Sequence, residues 1–404
     1  MFEFGRDLRK LFTQARESED LGWVELIGVD LLQVEARRES VDAGRVSCAQ
    51  PFATEHRAAR LWREHARRSG AADSLDRADR AADSLVRSAK GEDQTALAAI
   101  DKALTLILRF DLCGDPGRLD HALATLERVP APRRTRLAAQ ACTAHARIRA
   151  RQARLTGDPE ALLGAAEMMD GALNQTALDA DLRLERAALA LEAGVLQRDA
   201  RLLDQAGRDL SSVVEAASPD HRPLTRARAL ALCGAGLSAL AAVAGHAEAH
   251  AQGRLMFEAA ADQFTPDHSP LDWAAIQMMR AADDPLPLMI LNQAEALTQG
   301  QGLIIGALAR ERRLARETAL AESLHDTAAL DVLEARLRAR MARAAPLDWA
   351  ADQIGMAAVA LARQRLGGPP PKDMGLILAE AAATANEWGA PALADRAERL
   401  RRPA

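Results

Sequence analysis

One local signal recurs along the chain and limits what it can fold into. Leu155-Thr156-Gly157-Asp158-Pro159-Glu160-Ala161-Leu162 sets an aspartate four residues before a leucine, at the mouth of an apolar-periodic stretch. Asp115-Pro116-Gly117-Arg118-Leu119 repeats that core, and Asp199 to Leu203 and Asp326 to Leu330 repeat it more loosely. An aspartate there can accept from the free N–H groups of a first helical turn, and a proline just after it gives up no bond the helix needs. Helix starts recurring at about 40-residue intervals predict stacked helical hairpins.

The segments between these starts carry one-sided apolar faces. Leu162, Ala166, Met169 and Leu173 fall at i, i+4, i+7 and i+11, and Leu330, Leu333, Leu337 and Met341 at i, i+3, i+7 and i+11. A lone hairpin cannot bury such a face, so its neighbours must cover it. First helices are expected to start near 52, 93, 132, 176, 222, 270, 302 and 346, with partners near 71, 115, 158, 199, 246, 285, 326 and 370. Breakers punctuate the joints, among them Gly70, Gly91, Gly114, Pro130, Gly157, Pro219, Gly245, Pro285 and Gly300. Composition agrees: 49% hydrophobic and 27% charged is globular, aromatics are 3%, and tyrosine is absent. Strand-type runs are nearly missing. The expected fold is all-α, an α-solenoid of stacked antiparallel helical hairpins.

Three regions are expected. Residues 1–50 form a helical cap or docking segment: Phe4, Leu8, Leu11 and Phe12 share one helical face, and Trp23, Leu26, Ile27, Leu31 and Leu32 continue an apolar stripe. Residues 51–390 form the repeat array, and 391–404 a C-terminal capping helix and tail. The start Met1-Phe2-Glu3-Phe4-Gly5-Arg6-Asp7 is charged at once and lacks the apolar core of a signal peptide. Ala229 to Gly245 is uncharged but slightly short for a membrane span, and reads as a helix buried between neighbours. The scattered Cys48, Cys113, Cys142 and Cys233 fit neither zinc spacing nor a disulfide scaffold and read as buried thiols in a reducing compartment. A cytoplasmic location follows as an expectation.

Two segments carry a family likeness. Ser269-Pro270-Leu271-Asp272-Trp273-Ala274-Ala275-Ile276-Gln277 and Ala345-Pro346-Leu347-Asp348-Trp349-Ala350-Ala351-Asp352-Gln353 lie two hairpins apart. The pattern resembles the opening of a tetratricopeptide-type repeat, although the spacing exceeds the roughly 34 residues of the standard repeat and the usual tyrosine is missing. The resemblance implies a TPR-like superhelix whose concave face, lined by first helices, holds a peptide or protein segment. From the residues alone, Ser269 is expected to cap its helix, with Pro270 at the first position, and both tryptophans to pack against the adjacent hairpin.

Chemistry-bearing patterns are few. His246-Ala247-Glu248-Ala249-His250 has zinc-compatible spacing but lacks the His-Glu-x-x-His order, and reads as two surface histidines on a second helix. Gly300-Gln301-Gly302-Leu303-Ile304-Ile305-Gly306 has one residue too many for a dinucleotide loop and follows a helix where a strand is required. No nucleophile motif or phosphate loop stands out, so neither catalytic residue, metal nor cofactor is expected. Arginine clusters are the better lead: Arg133, Arg134 and Arg136, then Arg147, Arg149, Arg151 and Arg154, and the run Ala309 to Arg316. They read as exposed faces paired with acids, then as an anionic-peptide groove, and last as a nucleic-acid surface. The net charge of -5 disfavours that last reading, as does the lack of aromatics among the arginines. The expected function is a non-catalytic interaction scaffold, with a regulatory nucleic-acid binder as the alternative. Candidate partner contacts on first helices are Arg147, Arg183, Arg186, Arg226, Gln277, Arg280 and Gln353.

Overall fold

The computed structural model describes residues 21–130, 132–173, 180–283, 286–298, 303–341 and 344–402. The Phe4/Leu8/Leu11/Phe12 face, Pro285, and the glycines of Gly300-Gln301-Gly302 lie outside the described residues. The described chain is all-α, with no strand. A 3-10 turn, Gly22–Leu26, precedes eighteen α-helices. These are α1 Val29–Ala43, α2 Pro51–Ser69, α3 Ala72–Ser88, α4 Gly91–Cys113, α5 Gly117–Glu127 and α6 Thr135–Thr156. Then come α7 Pro159–Leu173, α8 Ala180–Gln197, α9 Ala200–Ala216, α10 Pro223–Ala244, α11 Ala247–Gln263 and α12 Pro270–Asp283. The last are α13 Leu288–Thr298, α14 Ile304–Ser323, α15 Thr327–Met341, α16 Pro346–Arg365, α17 Met374–Glu387 and α18 Pro391–Arg401. Each packs against the helix before it and the helix after it in sequence. The described helix starts fall within about a turn of those expected, and the starts expected near 176, 285 and 302 lie outside the described residues.

The start signals work as the residues dictate. Asp158 Oδ1 accepts from the Glu160 and Ala161 N–H groups at 3.0 and 3.2 Å, and Asp199 Oδ1 from those of Arg201 and Leu202 at 2.9 and 3.3 Å. Asp326 Oδ1 accepts from Ala329, and Asp115 Oδ1 from Gly117. Pro51, Pro223 and Pro346 occupy the first turn, where an N–H is dispensable. Gly70, Gly114, Gly157 and Gly245 end their helices in the left-handed conformation.

One expected cap is replaced. The Ser269 hydroxyl donates to Asp272 Oδ2 at 2.5 Å instead of accepting from the backbone. Asp272 already sits among arginines, and a charged acceptor takes the proton more strongly than a neutral one. Trp273 lies between the α10–α11 core and the α12–α14 core, and Trp349 packs on the cluster of α16, α17 and α18. Among the cores, Leu162, Met169, Leu330 and Leu337 are essentially fully buried.

The chain also returns on itself. Leu271 and Leu303 enter one core with Ala66, Leu75, Leu108 and Leu112, joining α2 and α4 to the start of α12 and to residues just ahead of α14. Glu25 in the 3-10 turn accepts from the Thr225 N–H at 2.9 Å, the Thr225 hydroxyl at 2.6 Å and Arg222 Nε at 2.7 Å. Arg68, fully buried, donates to the carbonyls of Ile27 and Val24 at 2.9 and 2.8 Å and to Glu64 at 2.7 Å. Gly114 at the end of α4 meets the Trp388 carbonyl after α17 so closely that a Cβ there would lie 1.9 Å from its oxygen.

α10 is, among the described residues, the one helix long and apolar enough to cross a membrane. Helices α8, α9, α11 and α12 and the 3-10 turn pack around it.

Candidate functional site

The first helices expected to carry contacts are α2, α4, α6, α8, α10, α12, α14 and α16. Their polar positions are tied to one another. Arg63 of α2 meets Asp101 of α4 at 2.8 Å, Asp111 of α4 meets Arg151 of α6 at 2.8 Å, and Arg154 of α6 meets Glu192 of α8 at 2.6 Å. Asp181 of α8 meets Arg222 at 3.2 Å, Arg228 of α10 meets Asp272 of α12 at 2.5 Å, and Arg310 of α14 meets Asp348 of α16 at 2.9 Å. Each pair joins equivalent helices of successive helix pairs, with Arg222 standing just ahead of α10. The result is a ladder of opposite charges from α2 to α12, taken up again between α14 and α16.

Arginines hold three carboxylates on these helices below the usual carboxylate range. Burial alone would raise the Glu185 carboxyl, but Arg147 and Arg151 outweigh it and hold it at about 2. Burial opposes Arg228, Arg67 and the Ser269 hydrogen bond in the same way at Asp272, which also falls to about 2. Glu64, between Arg67 and Arg68, is held lower still against the same penalty. These carboxylates stay ionised through the physiological range.

Placed on this frame, the seven candidate contacts separate. Arg147 donates to Glu185 at 2.6 Å and is a ladder member. Arg186 instead bridges Asp170 of α7 and Asp209 of α9 at 2.8 and 2.5 Å, tying α8 to the two shorter helices beside it. Arg226 donates to the carbonyls of Val214 and Ala217 at the end of α9, and so caps that helix. Gln277 is buried and accepts from half-buried Arg280 at 3.0 Å. Gln353 is half-buried and Arg183 exposed. Arg183 lies two residues from Asp181, on the opposite side of α8 from the ladder.

Several surface expectations need correction. Arg310 and Arg313, in the arginine run of α14, do not form a solvated face: both are buried around Glu295, with Arg313 also on Glu317. Arg133 and Arg134 precede α6 instead of lying in it, and pair with Glu92 and Asp93. His246 stands just ahead of α11, so only His250 is on that helix. Among the described residues no group of three histidines, cysteines, aspartates or glutamates is placed to hold a metal ion. Of the four cysteines, all free, only Cys233 is buried.

A second surface appears at the N-terminal edge. Apolar residues of the 21–50 region split between two faces: Ile27 and Leu32 are buried, whereas Leu26, Leu31, Val34 and Val41 are exposed. Arg37, Arg38, Val41, Asp42 and Arg45 line a shallow open cleft on that outer face. The alternation of Leu31, Val34 and Val41 with arginines was the readable sign of it, because it leaves α1 with apolar residues on two sides.

No family model matches the chain, nor does any curated protein or any solved structure.

Proposed function

We propose that the chain is a TPR-like α-solenoid, a superhelix of antiparallel helical hairpins, that acts in the cytoplasm as a non-catalytic interaction module and holds a peptide or protein segment. The observation that carries this reading is the ladder. Equivalent first-helix faces recur at one-hairpin spacing and present charge in register, which is how a repeat array builds an extended surface for a chain-like partner.

The ladder also specifies the chemistry of capture. Its arginines already hold carboxylates, so an acidic segment binds by exchanging with them, as at Arg147, where it displaces Glu185. Arg280 and Gln353 add polar contacts further along. Arg226 and Arg186 drop out as contacts, because each closes a bond inside the array.

Peptides selected from a random library by the purified chain test the reading. Glu185→Gln removes the charge that Arg147 and Arg151 hold and strengthens binding of the selected acidic peptides, whereas Arg147→Gln weakens it. Equal affinity for all three proteins refutes capture on this face. Binding to generic RNA that falls steeply with salt refutes it in favour of a nucleic-acid surface.

A further inference from the structure

We propose that residues 22–28 of this chain stand in for the segment the array captures: Glu25 holds the place of a partner's acid on the ladder arginine Arg222, and a partner segment of apolar–acid–x–apolar sequence binds there by displacing it. This rests on segment capture as proposed above, and adds to it what the site reads and what blocks it.

The first observation is where Glu25 sits. Arg222 makes the ladder rung between α8 and α10, 3.2 Å from Asp181. Its Nε also donates to Glu25 Oε1 at 2.7 Å, and the Thr225 N–H donates to Glu25 Oε2 at 2.9 Å. The Thr225 hydroxyl lies 2.6 Å from Glu25 Oε1 and 3.0 Å from Asp181 Oδ1, so the two acids share both sets of donors. Glu25 lies in the 3-10 turn ahead of the helices. An acid from outside the helix pairs therefore already occupies a ladder arginine. The start of α10 also lacks a cap of its own. Asp158, Asp199 and Asp326 serve α7, α9 and α15 locally, whereas Arg222 makes no side-chain cap. Glu25 supplies it from 200 residues away, on first-turn donors that favour an anion.

The second is how the rest of the segment is held. Arg68, fully buried, donates to the carbonyls of Val24 and Ile27 at 2.8 and 2.9 Å, and the Val29 N–H donates to the Asp267 carbonyl at 3.2 Å. These bonds read backbone and serve any segment that follows the same course. Side chains are read at three places. Val24 and Ile27 are buried in the cluster of Leu32, Ala36, Leu61 and Trp62, and Glu25 meets Arg222 and Thr225. Leu26 is exposed, so the position between acid and second apolar residue goes unread. Main-chain bonds that hold and pockets that select are the division of labour of a bound peptide.

The third is how little the segment depends on itself. Gly22–Leu26 is one short 3-10 turn, an element that gains little stability alone. It lies outside the eighteen helices, so its release unwinds none of them. A tethered occupant competes at high effective concentration, and a free segment binds only in the fraction of molecules whose site is open.

The test uses the full chain and a blocked, fluorescently labelled peptide of residues 21–28, made with and without Glu25→Gln. By fluorescence polarisation, the peptide with Glu25 is expected to bind a Glu25→Gln chain about tenfold or more tighter than the unchanged chain. The Glu25→Gln peptide is expected to lose that gain, as is a chain carrying Arg222→Gln together with Glu25→Gln. Glu25→Asp, which keeps the charge but shortens its reach, is the second chain variant. It is expected to gain affinity in the same direction by a smaller factor, and it decides the matter if Glu25→Gln does not fold. Equal affinity for the unchanged and altered chains overturns the proposal, as does a gain that survives Arg222→Gln. The library peptides separate this inference from the capture it rests on. If they respond to Glu185→Gln but not to Glu25→Gln, capture stands and the internal stand-in is refuted; if they respond to neither, both fail.

Discussion

Gly114→Ala tests the return of the chain on itself. Gly114 ends α4 at φ +78°, and a Cβ built there lies 1.9 Å from the Trp388 carbonyl oxygen and 2.8 Å from its carbon. Two penalties combine. The left-handed backbone costs a non-glycine residue roughly 1–2 kcal/mol. The clash adds a second term, because ordinary contact begins near 3.4 Å and the two segments must part by about 1.5 Å. Forced separation of packed segments typically costs about 1–3 kcal/mol. The contacting atoms are backbone, so no side chain can swing aside. The sum is roughly 2–5 kcal/mol. Gly91→Ala is the matched control: its φ is +75°, and nothing lies within 4 Å of its would-be Cβ. It is expected to lose only the first term. Urea unfolding followed by circular dichroism gives both losses by linear extrapolation. Hydrogen exchange adds the location, with faster exchange at residues 384–390 in Gly114→Ala alone. If the two variants lose equal stability and the 384–390 amides are unmoved, then α4 and the end of α17 do not touch in solution, and the return contact is refuted.

Leu162→Ala, at a position 1% exposed, is expected to cost about 2–5 kcal/mol in the same assay; a loss below about 1 kcal/mol contradicts its burial. Arg68→Ala removes the donor to Ile27, Val24 and Glu64 and is expected to cost about 3 kcal/mol or more, with faster exchange across residues 22–28. The pH dependence has a defined sign. Burial, with Arg68 nearby, holds His65 and His268 below the ordinary histidine value. The unfolded chain therefore binds more protons near and below about pH 6.5, and stability is full above that value and declines as pH falls through it. His268→Gln is expected to flatten the decline in urea midpoints measured from about pH 7.5 to 5. A second decline follows between about pH 4.5 and 2, where Glu185 and Asp272 take up protons. Stability that rises on acidification through either window refutes the assignment.

The sequence made the helices readable because their signals are local. Asp158 and Asp199 cap with their own side chains, and Pro223 and Pro346 stand in first turns, so each start depends on a few adjacent residues. Burial of Leu162 and Leu330 follows from spacing alone. The return contact was not readable. It depends on how the packing angles of all the helices between α4 and α17 combine, and neither Gly114 nor Trp388 carries a mark of its distant partner. The partners of the arginines were not readable for a related reason. A helical position shows that Arg226 or Arg310 projects from a helix, but not that the end of α9 or Glu295 of another helix waits for it. The charge pairing was present as a pattern all along, because Arg63 and Asp101, or Arg154 and Glu192, are 38 residues apart. Asking which opposite charges recur at the helix-pair spacing would have found it.

That pairing bears on how such a chain can change length over generations. Duplicating or deleting a whole helix pair leaves every remaining helix turned the same way, so only the charges at the new joint have to be rematched. Inserting one residue into the middle of a long helix such as α6 turns everything beyond it by about 100°, and Arg154 then points away from Glu192. Growth by complete units is therefore tolerated where single-residue slippage is not, and the charges act as a proofreading mark for the unit boundary.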